Sequence, residues 1–216
     1  MAHNHTTITP AALAAILDAP DAPVLIDLRD DEDAAADPRR IPGARAGTLA
    51  ALEDGPPPEG PVVCTCQKGG KLSQIGAGLL RARGVAARYL TDGHLAWVAA
   101  GLPLMTARAL PDRWIVAADA GWDELAAFWV LRRLVDRHAS VLPVTRDWVT
   151  PALTVRDATA VPATGRDMAE MAGLDHPAVA HLSGGPARLL AGRLARVASP
   201  LEALDLVDDW LAGQTA

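Results

Sequence analysis

Pro61-Val62-Val63-Cys64-Thr65-Cys66-Gln67-Lys68-Gly69-Gly70-Lys71 is the stretch whose reading decides the fold. It opens as a short apolar run after a proline and reads as a buried strand. Residues 67–71 then form a glycine-containing loop. From Leu72 the pattern changes period: Leu72, Ile75, Leu79 and Leu80 recur at helical spacing through Arg83, and Gly84 is a natural helix stop. Downstream, residues 85–90 read as another strand, Asp92-Gly93 as a turn, and 95–100 as a short helix closed by Gly101 and Pro103. Upstream, residues 24–28 are a compact apolar run that predicts a buried strand. Residues 8–17 predict a helix capped by Thr9, with Pro10 at its first position. Residues 30–37 are acidic and read as a solvated loop or short helix, 41–44 as a turn, and 48–52 as a brief strand or helical turn. Strands alternating with helices predict an α/β domain with a mainly parallel sheet.

Composition narrows the function. Of the 216 residues, 50% are hydrophobic, which allows a sizeable core and excludes wholesale disorder. A net charge of −6 gives no electrostatic footprint for nucleic acid. No run reaches the roughly 18–20 apolar residues of a membrane helix. The polar start of the chain lacks a secretory layout, so a cytoplasmic location is expected. Two cysteines make no disulfide framework. The chain has only two lysines, Lys68 and Lys71, and both lie within five residues of Cys66.

That clustering has a chemical meaning. A cysteine at the carboxyl end of a parallel strand lies where open α/β sheets bind ligands. The following helix turns its unpaired N–H groups toward the loop, which favours an anion. Gly69 and Gly70 let successive amides turn inward as an anion nest. Lys68 and Lys71 add positive charge. Each of these favours thiolate over thiol at Cys66, and a thiolate in an open basic loop is a nucleophile. Cys64, two residues earlier inside the apolar run, reads as core filler. Cys64 and Cys66 lack the further Cys or His ligands of a metal site, so no metal is expected. His94 follows a turn glycine and reads as a surface residue of its turn, with a place lining the cleft as the alternative.

These residues resemble the rhodanese family of sulfurtransferases over roughly residues 6–106. The resemblance rests on Leu25-Ile26-Asp27-Leu28-Arg29, Ile41-Pro42-Gly43-Ala44, the strand ending at Cys66, the loop through Lys71, Asp92-Gly93-His94-Leu95-Ala96-Trp97, and Ala100-Gly101-Leu102-Pro103. It implies a mainly parallel five-stranded sheet flanked by helices. It also implies that Cys66 carries a sulfane sulfur as a persulfide, with Gln67, Lys68, Gly69, Gly70 and Lys71 as the substrate-binding loop. No cofactor is implied, because the persulfide is the carrier. The implied partners are a small anionic donor such as thiosulfate and a thiol or cyanide acceptor, with no nucleic acid and no membrane. Two positions depart from the family: Arg40 stands where a histidine is often found, and Lys71 where arginine or a hydroxyl residue is common. Related phosphatases use a loop one residue longer that ends in arginine; here that place is Leu72, which cannot pair with phosphate oxygens.

Beyond a linker at 106–112 the chain changes character. Strands are predicted at 114–118 and 141–145, and helices at 122–137, 166–172, 186–197 and 200–211. Residues 150–164 show little periodicity. Arg113-Trp114-Ile115-Val116, Asp123 and the stretch Trp129-Val130-Leu131-Arg132-Arg133-Leu134-Val135-Asp136 resemble the ChrB-type domain of chromate-resistance proteins, in degenerate form: Glu124, Ala127 and Phe128 replace that family's Arg, Cys and Pro. The competing reading is an ordinary amphipathic helix with Arg132 and Arg133 on a solvated face. The expected organisation is a rhodanese-like domain over 1–109 and a smaller, mostly helical α+β accessory domain over 110–216. The expected function is sulfur transfer through Cys66. The alternative is a regulatory or sensing protein in chromate or oxyanion resistance, whose Cys66 loop binds an anion or reports thiol oxidation.

Overall fold

The computed structural model describes residues 6–106, 109–183, 192–193 and 196–214. The chain divides into two compact units, Met1–Ala107 and Arg108–Ala216. Among the described residues no helix is long and apolar enough to cross a membrane.

In the first unit the elements run β1 (Thr7–Ile8), α1 (Pro10–Ala14), β2 (Val24–Asp27), α2 (Asp31–Ala36), β3 (Arg39–Arg40), β4 (Ala44–Ala46), α3 (Leu49–Asp54), β5 (Val62–Thr65), α4 (Lys71–Ala82), β6 (Ala87–Leu90), α5 (Gly93–Ala99) and β7 (Met105–Thr106). Five strands form one parallel sheet in the order β1-β6-β5-β2-β4, with β5 in the middle. Both faces are covered, so β2 and β5 are buried at every position instead of alternating. One face packs Val24, Ile26, Val62, Cys64 and Cys66 against Leu28, Leu52, Ala77 and Leu80. The other packs Leu25, Val63 and Leu90 against Leu13, Ile41 and Trp97.

Some local expectations are corrected, and others narrow to one of the alternatives. The segment expected to be one helix from residue 8 is split: Thr7–Ile8 pairs with β6 as an edge strand, and the helix is Pro10–Ala14, capped by Thr9. Two residues of strand are too few to show a period. The acidic stretch is a helix because Asp30 accepts from the Asp33 amide. Residues 49–54 are helical because Thr48 does the same for Ala51. Thr106, expected to open a linker, pairs antiparallel with Arg39 in a small β3–β7 ribbon.

The second unit runs β8 (Arg113–Ala117), α6 (Trp122–Trp129), a π-helical continuation Val130–Val135, β9 (Ser140–Val144), a 3-10 turn Arg146–Trp148, α7 (Val149–Arg156), β10 (Thr159–Ala160), α8 (Gly165–Ala172), α9 (Pro177–Leu182) and a last helix Pro200–Gln214. Its three-stranded sheet is parallel, in the order β10-β8-β9. The predicted helix at 186–197 lies largely outside the described residues. Arg132 and Arg133 are not a solvated face. Arg133 donates to both carboxylate oxygens of Asp208 at 3.2 and 2.6 Å, and Trp129 Nε1 donates to the same carboxylate at 2.7 Å. Arg132 donates to the Ala139 carbonyl at 2.8 Å. The bonds to Asp208 hold the last helix against α6 and its continuation.

Candidate functional site

Cys66 is the first residue past β5, at the carboxyl end of the central strand. Its carbonyl accepts from the His94 amide at 2.9 Å, and the Gln67 carbonyl accepts from the Leu95 amide at 3.0 Å. The start of α5 therefore clamps the start of the loop. Two glycines make this approach feasible. Gly69 has φ +62°, and a Cβ there would lie 2.5 Å from the Asp92 nitrogen and 2.6 Å from the Leu90 oxygen. Gly93 has φ +60°, and a Cβ there would collide with the Cys66 carbonyl. No other residue type fits either place without moving backbone.

The loop then runs into α4 with most of its donors unused. Helices α1, α2 and α3 are capped by Thr9, Asp30 and Thr48, whereas α4 starts from Gly70, which offers no side chain. The α4 ladder begins with the Gln74 amide donating to the Gly70 carbonyl at 3.1 Å. Residues 67–68 form a hydrogen-bonded turn that engages the Gly69 amide, and among the described residues the amides of Gln67, Lys68 and Gly70 through Ser73 donate to no carbonyl and no side chain. A run of free N–H groups around a glycine in the left-handed region, ending at a helix N-terminus, is an anion-binding arrangement.

The side chains divide by exposure. Lys68 and Lys71 are exposed and form no ion pair among the described residues. Cys66 is only 6% exposed and belongs to the same core cluster as Cys64. Cys66 Sγ is 3.2 Å from Ser73 Oγ, and the fully buried Ser73 hydroxyl is in turn 3.2 Å from the Gly70 carbonyl oxygen. Ser73 is a site residue that the sequence reading missed. Gln74 Nε2 donates to the Gly69 carbonyl at 3.2 Å and steadies the loop from the outside. Cys64 is fully buried, and burial pushes its thiol up to about 12. It stays protonated at neutral pH and is no nucleophile.

His94 is not the surface residue its turn suggested. It is 1% exposed, and its Nε2 lies 3.2 Å from Asp37 Oδ2. Burial and the Arg29 charge lower its pKa, against the opposing pull of Asp37, so the ring is neutral at pH 7. Asp37 is also gripped by Arg39 through two bonds of 2.8 Å, which holds its carboxyl well below the usual range. Arg29 completes the frame: it forks onto Asp27 at 2.8 to 3.1 Å and donates to the carbonyls of Asp37 and Arg39 at 2.7 and 2.8 Å. The end of β2, the exit of α2 and the start of α5 are thereby tied together beside the Cys66 loop.

No protein-family model and no curated protein matches the chain. Solved structures resemble it over about half its length. A protein of unknown function from Rhodopseudomonas palustris, described as a possible tyrosine phosphatase, is 27% identical over 46% of this chain and 83% of its own, with a TM-score of 0.40. A thiosulfate sulfurtransferase from Pseudomonas aeruginosa is 30% identical over 49% of this chain and 20% of its own, with a TM-score of 0.42. A rhodanese-like domain protein from Staphylococcus aureus is 24% identical over 43% of this chain and 90% of its own, with a TM-score of 0.37.

Proposed function

We propose that the first unit is a sulfurtransferase that carries a sulfane sulfur on Cys66. One observation carries the reading: the cysteine at the carboxyl end of the central strand opens a loop whose amides, Gly69 excepted, are unbonded from Gln67 through Ser73 and end at the uncapped start of α4. Such a cradle stabilises a sulfur anion, first the thiolate and then the terminal sulfide of a persulfide. Lys68 and Lys71 at the open rim attract an anionic donor.

The reaction balances without a metal, a redox partner or a proton. The Cys66 thiolate attacks the outer sulfur of thiosulfate. A new S–S bond forms, the old one breaks, and sulfite leaves with the electron pair. A nucleophilic acceptor such as cyanide or a thiolate then attacks the terminal sulfur, and Cys66 leaves as thiolate. Leu72, in place of a basic residue, gives a tetrahedral phosphate no bidentate partner, which supports sulfur over phosphate as the cargo.

Mass spectrometry after incubation with thiosulfate tests the proposal. The expected result is a gain of one sulfur, about 32 Da, on the peptide containing Cys66, lost again on adding cyanide with release of thiocyanate. A sensing role for the same loop in oxyanion resistance predicts binding without turnover. Absence of both the adduct and thiocyanate would remove sulfur transfer from thiosulfate.

A further inference from the structure

Ser73 Oγ stands 3.2 Å from both the Gly70 carbonyl oxygen and Cys66 Sγ, and owns one proton. Both Ser73 and Cys66 are buried, so bulk water does not compete for that proton. When Cys66 is a thiol, its S–H donates to Ser73 Oγ and the Ser73 hydroxyl donates to the Gly70 carbonyl. When Cys66 is a thiolate, the sulfur accepts only, and the hydroxyl turns to it. A charged acceptor outbids a neutral carbonyl. When a second sulfur is attached, the negative charge moves to the terminal sulfur, and the hydroxyl turns back to Gly70.

We propose that Ser73 is a positioning residue whose hydroxyl selectively stabilises the free Cys66 thiolate over the sulfur-loaded state. This rests on the sulfur-transfer reading for its second arm only. The consequence differs between the half-reactions. A thiolate relieved of a hydrogen bond is a stronger nucleophile but a poorer leaving group. Removing the hydroxyl should therefore slow discharge of the loaded enzyme, and should not slow loading once the pH is high enough to ionise Cys66 fully. Near neutral pH it should reduce the fraction of thiolate. The charged and titratable groups on the surrounding elements are Lys68 and Lys71 of the loop, Asp27 and Arg29 at the end of β2, Asp37 at the exit of α2, Asp92 and His94 at the start of α5, Arg81 on α4, and Cys64 on β5. Both variants below leave all of them in place.

Ser73→Ala and Ser73→Thr are compared with the parent, each checked for folding by circular dichroism. Alanine suits the first turn of a helix, so the first variant is expected to fold. In the first arm, iodoacetamide alkylation of Cys66 is followed from pH 5 to 10. The alanine variant should react several-fold more slowly at neutral pH and at least as fast on the alkaline plateau, and threonine should restore the parent profile. This arm requires no sulfur donor, so it stands even if thiosulfate fails to load the enzyme. In the second arm, single-turnover loading by thiosulfate and discharge to cyanide are measured on the alkaline plateau. Discharge should fall several-fold while loading is unchanged or faster. A folded alanine variant with the parent's alkylation profile, or one in which loading and discharge slow equally and threonine rescues neither, would overturn the assignment.

Discussion

Cys64 on β5 and Cys66 just past its end are two residues apart and share one core cluster, yet their environments divide their roles. Cys64 is sealed under Leu28 and α4, and its raised pKa removes it from nucleophilic chemistry. Cys66 begins the run of free amides. Cys66→Ser should abolish thiocyanate formation with little change in thermal stability. Cys64→Ser should retain turnover and lose roughly 1–3 kcal/mol, the cost of burying an unpaired hydroxyl. Equal loss of turnover in two folded variants would mean that the pair acts together. The lysines are a gentler case. Both are exposed, so each contributes at the scale of an exposed ion pair, about 0.2–1 kcal/mol, which amounts to a KM for thiosulfate raised by no more than about fivefold. That increment should shrink in high salt. A Lys68→Ala/Lys71→Ala double variant with an unchanged KM would assign donor binding to the backbone alone.

At the scale of the element, α4 shows both the reach and the failure of pattern reading. Its existence, its start after the glycines and its stop at Gly84 follow from spacing and caps. Its buried face follows only in part. The apolar spacing names Leu72, Ile75, Leu79 and Leu80; Leu80 is fully buried and Leu72 packs against the core, but the buried face also takes in Ser73, Gly76 and Ala77, and Ile75 is 41% exposed. The helix lies so close to the sheet that a Cβ at position 76 would stand 2.5 Å from Leu28 Cδ1. Small residues mark that contact, and a reading weighted by hydrophobicity passes over them, together with Ser73. Gly76→Ala should cost about 1–3 kcal/mol through overpacking, despite its better helix propensity, and urea unfolding would show it. Gly93→Ala should do more, by pushing α5 off the Cys66 carbonyl. In the second unit the same limit explains the missed α7. None of the residues from 140 to 157 is buried, α7 buries no side chain, and Trp148 stays 64% exposed, so no amphipathic period exists to be read. Pro143 in β9 removes an N–H from a strand that pairs on one side only, which discourages strand addition there.

For the whole molecule, the first unit carries its own two-faced core and every residue placed in the site. A fragment of residues 1–109 should therefore fold alone and keep sulfur transfer; a folded but inactive fragment would assign part of the site to the second unit. The same fragment should have a particular acid response, set by the frame around His94 and Asp37. His94 is held neutral in the fold, with a pKa below its unfolded value of about 6.5. Below that value the unfolded chain takes up a proton that the folded chain refuses, so stability declines as pH falls from about 6.5 toward the lower folded pKa. Asp37 acts in the same direction at lower pH. Its carboxylate is favoured in the fold by Arg39, so its contribution is complete above the unfolded pKa of about 3.9 and is lost as pH falls through its depressed folded value. Two separate losses follow, the first beginning near pH 6.5 and the second near pH 4. His94→Gln keeps an amide donor for Asp37 and removes the titration. In melting curves recorded from pH 8 to 5, the parent fragment should lose melting temperature steadily below pH 6.5, while the glutamine variant stays level until the carboxylates protonate. If the two curves fall in parallel across that window, His94 is not the source of the upper transition, and the tie between α5 and the exit of α2 does not govern the acid stability of the unit.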